Sequence, residues 1–151
     1  VNLSTHFSLA EFTASQWAAR AGIENEPGPV ELENLKRLAM TMEAVRYALG
    51  APIIITSGYR CPEVNRNVGG ASTSMHLQGL ACDFIAPGFG TPYQVARKLM
   101  GVDAIKFDQL IHEYGRWVHL GLAVTGKEPR LQALSIFNAG RYLPGILERN
   151  P

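Results

Sequence analysis

Apolar residues fall at helical spacing early in the chain and in strand-like runs later. Leu35, Leu38, Met42, Val45 and Leu49 recur at steps of three and four, which predicts one buried helix face. Pro29 suits the first position of that helix, because its ring presets φ, and Gly50 ends it. Further upstream, Ser8-Leu9-Ala10-Glu11 has the form of a capping box, in which the hydroxyl and the carboxylate each satisfy an orphan N–H. It predicts a helix running through Trp17 to near Gly22, with Leu9, Phe12, Trp17 and Ala21 turned to the core. Residues 24–28 form a polar break.

The period changes after Gly50. Residues 52–57 are a β-branched run and read as a buried strand. A short helix around 63–67 leads into the glycine- and serine-rich loop 69–74. Residues 80–85 read as a strand, and Thr91-Pro92 starts a helix that ends near Gly101. Two further strands, 109–113 and 117–122, flank the turn Tyr114-Gly115-Arg116, and a strand near 134–137 precedes an irregular end. Helices first and strands later predict an α+β fold. The expectation is one compact domain over residues 1–151, with N-terminal helices packed on a small, mostly antiparallel sheet.

Composition narrows the function. At 151 residues, 46% hydrophobic and 18% charged, the chain can close around one core. A net charge of +1 without a basic block argues against a nucleic-acid partner. No apolar run approaches the ~18 residues of a membrane span, so no membrane insertion is expected. The first six residues have neither a basic nor an apolar region, so no secretion signal is expected in this stretch. Cys61 and Cys82 are too few for a disulfide scaffold, and neither their spacing nor their number implies a zinc finger.

Candidate chemistry concentrates in Ser74-Met75-His76-Leu77-Gln78-Gly79-Leu80-Ala81-Cys82-Asp83. A histidine and a carboxylate are natural zinc ligands, and a bend at Gly79 could turn both to one side. Small residues at Gly79 and Ala81 would let the backbone pass near a metal. A hairpin through residues 114–116 pairs Glu113 with Trp117 and Ile111 with His119. Strand parity puts those four on one face and His112 and Val118 on the other. Glu113 and His119 then become diagonal neighbours, roughly 7–8 Å apart at the backbone. His6, His112, Trp17 and Cys82 read as ordinary surface or packing residues.

Ser57-Gly58-Tyr59-Arg60, then Ser74-x-His76-x-x-Gly79-x-Ala81-x-Asp83, then Trp117-x-His119 resemble the zinc D-Ala-D-Ala carboxypeptidase family. That family includes D-Ala-D-Ala dipeptidases and many phage endolysins that cut peptidoglycan peptides. The phrase Phe7-Ser8-Leu9-Ala10-Glu11-Phe12 and the segment Asn65…Gly69-Gly70 resemble its short phage and prophage members. The resemblance covers about residues 6–122. It implies one Zn²⁺ per chain, held by His76, Asp83 and His119 with water in a fourth position. It also implies that Arg60 contacts a substrate carbonyl or carboxylate, and that Ser74 either hydrogen-bonds to the substrate or fixes the loop.

The chain departs from the family pattern at one place. Many members carry a catalytic Glu three residues before the last zinc His, where this chain has Arg116, and others a His two residues before it, where it has Trp117. Glu113 is therefore the candidate base. The implied function is a monomeric zinc peptidase acting on bacterial peptidoglycan peptides. An endolysin of this kind would stay in the host cytoplasm until its release to the cell wall. The alternatives are a D,D-carboxypeptidase and a metal-bearing, non-catalytic murein-binding virion domain.

Overall fold

The computed structural model describes residues 1–151. Six strands form one sheet: β1 (Ile54–Ser57), β2 (Ala81–Ile85), β3 (Gln109–Glu113), β4 (Trp117–Gly121), β5 (Gln132–Asn138) and β6 (Arg141–Pro144). Their order is β1-β2-β4-β3-β5-β6. All neighbours are antiparallel except β3 and β5. The helices are α1 (Leu9–Thr13), α2 (Gln16–Ala21), α3 (Pro29–Leu49), α4 (Pro62–Asn67) and α5 (Pro92–Met100). The architecture is the α+β domain with a mostly antiparallel sheet that the periodicities predict.

The long helix α3 starts at Pro29, ends at a left-handed Gly50, and buries Leu35, Leu38, Met42, Val45 and Leu49 together with Ala39. A capping box between Thr91 and Gln94 starts α5, which buries Val95, Ala96 and Leu99. These side chains meet Cys82, Phe84, Leu110, Val118 and Leu120 from one face of the sheet in a single core. Burial of each such aliphatic side chain stabilises the fold by roughly 1.5–3 kcal/mol.

Four expectations need correction. The first helix does not run through to Gly22, because it breaks between α1 and α2. The Asn25 side-chain amide donates to the Thr13 carbonyl, and Ser15 caps a new helix by accepting from the Ala18 N–H. Trp17, on the second helix, is consequently 50% exposed rather than part of the core, and Ala21 is exposed too. The apolar run before Gly58 is an edge strand, not a buried one, and Ile54 is half exposed. The end of the chain is not irregular throughout, since β6 pairs with β5.

Candidate metal centre and active-site groove

The face of the sheet opposite the core is an open groove. Asp83 on β2 is the direct cross-strand partner of His119 on β4, and Ile111 on β3 is the next partner along. His76 arrives from a 3-10 turn, Met75–Gln78, that Ser74 caps by accepting from the His76 N–H. Gly79 closes the turn at φ +69 and sends the chain into β2. This is the inward bend that the His–Asp spacing requires. The role expected for Gly79 differs, however: a Cβ there would strike the Glu31 carbonyl and Leu35 of α3, so its small size serves helix packing, not closeness to a metal.

One ligand atom each from His76, Asp83 and His119 lies within 4.8 Å of the other two. His119 Nδ1 is 3.0 Å from Asp83 Oδ1, and His76 Nε2 is 3.4 Å from the same oxygen. The other His76 nitrogen, Nδ1, donates to the Gly58 carbonyl at 2.8 Å. That bond fixes the ring so that Nε2 faces the carboxylate. Gly58 is needed there, because any Cβ would run into the backbone of Phe12. Two imidazoles and a carboxylate converging this closely fit one zinc ion with an open fourth position.

The three groups of the cluster shift one another's ionisation. Burial opposes ionisation of Asp83, but hydrogen bonds from His119 and His76 outweigh it and hold the carboxyl well below its ordinary range. Burial pushes the His76 pKa down, which favours the neutral imidazole that a metal needs. At His119 burial acts the same way, but the Asp83 carboxylate prevails and raises the pKa.

Around this cluster the groove holds about 680 Å³ and is lined on one side by Arg60 and the 68–76 loop. On the other side it is lined by Ile111, Glu113, Trp117, Leu134 and Tyr142. Glu113 lies on the same face as His119, as hairpin parity predicts. Its carboxylate accepts from Trp117 Nε1 at 2.7 Å. Burial raises the Glu113 pKa, and the nearby His119 partly offsets this. Arg116, in the position where many relatives keep their Glu, is exposed at the turn. His112 faces the core, where it is 1% exposed and packs edge-on against Phe137.

Arg60 lines the same groove as Glu113. Its backbone N–H donates to the His76 carbonyl, and its guanidinium donates to Ser74 Oγ at 3.4 Å. Arg60 Nε is buried without a partner. The residue lines the groove beside the cluster. Ser74 Oγ accepts from the His76 N–H and from the Arg60 guanidinium, which ties it into the loop. Both cysteines are free, and Cys82 is buried.

The peptidase M15 family model matches residues 5–121. The chain belongs to the peptidase M15 family. The match contains all three residues of the cluster, together with Arg60 and Glu113, and stops before β5 and β6. The chain is also similar to a zinc D-Ala-D-Ala carboxypeptidase of Streptomyces albus G, at 44% identity over 59 residues. That stretch is 37% of this chain, and the chain spans 23% of that relative's length.

Sequence reasoning missed the residues that brace the M15 site. Asn25 is buried and joins three segments: its amide donates to the carbonyls of Thr13 and Tyr59, and its oxygen accepts from the Cys61 N–H. It thereby anchors the loop that presents Arg60. Asn65 is also buried and donates to the Ala71 carbonyl, bracing the groove's glycine-rich wall. The local sequence carries no signal for Asn25, whose partners lie as far as 36 residues along the chain, whereas Asn65 stands in the Asn65…Gly69-Gly70 segment that carries part of the resemblance. Trp117 was legible, since parity puts it beside Glu113.

Proposed function

We propose that this M15 chain is a zinc-dependent peptidoglycan peptidase that hydrolyses an amide bond in murein stem or cross-link peptides. The convergence of His76, Asp83 and His119 at the floor of a groove, with Glu113 on the same face, carries the reading. His76, Asp83 and His119 would hold the zinc. Zinc at a site with three protein ligands supplies a Lewis acid and brings the pKa of a coordinated water toward ~7. Glu113 takes the proton from the attacking water and returns it to the leaving amine, so the proton count balances. Its raised pKa suits that exchange better than an ordinary carboxylate would. Trp117 holds one carboxylate oxygen and leaves the other free. Arg60, which lines the groove, binds the substrate carbonyl or carboxylate through its guanidinium.

Endopeptidase action is the favoured form. Beyond His119 the groove floor continues over β3 and β5 to Tyr142 on β6, three strand spacings away. At ~4.8 Å per spacing that is about 14 Å, room for roughly four extended residues on that side alone. A chain on the far side of the cleaved bond is what a cross-linked peptide supplies. A short endolysin of the phage type, held in the host cytoplasm until lysis, is consistent with this substrate. The carboxypeptidase reading has one observation in its favour: Arg60 lines the groove beside the cluster, and a guanidinium is suited to a terminal carboxylate.

Digestion of purified muropeptides followed by mass spectrometry tests both forms. The expected result is internal cleavage, with new free amines and carboxyls and no new reducing sugar ends. Release of single terminal D-Ala residues replaces endopeptidase with carboxypeptidase action. New reducing ends overturn peptidase action altogether.

A further inference from the structure

A second cavity lies outside the His/Asp cluster. It measures about 770 Å³, lies beside α2, α4 and the edge strand β1, and falls within the ~300–1,000 Å³ range of small-molecule sites. Arg60 and Val68 line both this cavity and the active-site groove, so the two adjoin there.

The chemistry of its wall is distinctive. Trp17 presents a half-exposed indole, held out by the short helix that Ser15 recaps. Beside it stand the Gln16 amide and the hydroxyls of Thr56 and Ser57, and Arg60 is the one charged residue in the lining. An exposed aromatic face next to neutral hydrogen-bonding groups suits a ligand that is apolar on one face and hydroxylated at its rim. A pyranose has that shape. An extended peptide along β1 is a poorer fit, because α1 packs against that strand and the Phe12 carbonyl takes the Tyr59 N–H.

We propose that this cavity is a saccharide subsite for N-acetylated amino sugars, with Trp17 as the stacking platform. The inference rests on the murein reading above, in which a stem peptide is attached to an amino-sugar strand. The peptide lies in the groove, Arg60 stands at the junction, and the sugar packs on Trp17.

Two measurements test it. The chain has two tryptophans, so its indole N–H signals in a ¹H–¹⁵N spectrum are two, and Trp17→Phe identifies which is which. Titration with the peptide-free murein disaccharide should shift the Trp17 indole and leave that of Trp117 in place. No shift of Trp17 at millimolar disaccharide overturns the proposal. In the second measurement, Trp17→Ala should lower kcat/KM about tenfold on a disaccharide-peptide and less than twofold on the same peptide without sugar, with Trp17→Phe close to wild type. Equal losses on both substrates would mark Trp17 as a peptide contact or a structural residue and overturn it. Cleavage of neither substrate by the wild-type chain would sink the murein reading instead, and the indole titration would still decide the subsite.

Discussion

His112 and His119 stand on neighbouring strands, each directly paired across the hairpin, and they face opposite sides of the sheet. His112 points into the helix-covered side, where Nδ1 bonds to the Leu147 carbonyl at 2.8 Å and the ring packs near Tyr93 and Phe137. His119 points into the groove, where Nδ1 meets Asp83. Both are largely buried, so burial does not separate them; the partner does. A backbone carbonyl is a neutral acceptor that only orients a ring, whereas a carboxylate shared with a second imidazole makes a cation site. The helix-covered face is built for packing and the groove face for chemistry, and one-residue parity assigns each side chain to its role.

The sharpest way to break this division is to remove a groove ligand. His119→Ala and Asp83→Ala should each lose bound metal and all measurable turnover while keeping wild-type far-UV circular dichroism, because the core lies on the other face. A well-folded variant with full zinc content by elemental analysis would refute the assignment. Next in size is Glu113→Gln. It should retain zinc and lose about 10²–10⁴-fold in kcat, the scale of general acid–base catalysis. Near-normal turnover would move the base elsewhere.

A change on the covered face should do the reverse. His112→Ala strands the Leu147 carbonyl and leaves a void beside Phe137. The expected cost is about 1–3 kcal/mol of unfolding free energy in denaturant titration, with kcat per folded molecule unchanged. A collapse in turnover with stability and zinc retained would mean that parity had been misread.

Parity is also why the groove was legible. The hairpin pairing of Glu113 with Trp117 and of Ile111 with His119 follows from the turn position alone, and the structure has that register. The Ser74–Asp83 segment was legible because cap, bend and strand lie within ten residues. What failed depended on distant partners. Trp17 reads as core until the Asn25 amide, twelve residues beyond Thr13, takes the carbonyl that would continue the helix. Ile53, Ile54 and Ile55 read as a buried strand, but their burial depends on sheet order, and β1 is at the edge. β6 carries almost no apolar pattern and exists because β5 offers it an open side. The same holds for the groove floor: Leu134 and Tyr142 join Ile111 only through the parallel β3–β5 pairing, which no local period announces.

The smallest expected effect lies at the hairpin tip, where neither face claims the side chain. Tyr114 and Gly115 both take positive φ, as a tight turn between twisted strands requires, and the Arg116 N–H closes it by donating to the Glu113 carbonyl. That contact belongs to the backbone. The Arg116 side chain is exposed and makes no ion pair or hydrogen bond, although it occupies the position where many relatives keep a catalytic Glu. A guanidinium is not a general base. Arg116→Ala should therefore change unfolding free energy by no more than about 0.5 kcal/mol and kcat by less than twofold. Arg116→Glu sharpens the comparison further: if proximity in sequence to the last ligand were enough to make a base, this variant would restore turnover to Glu113→Gln. Because the tip side chain is directed to solvent and not over the groove, the double variant should stay as inactive as Glu113→Gln alone in a muropeptide assay.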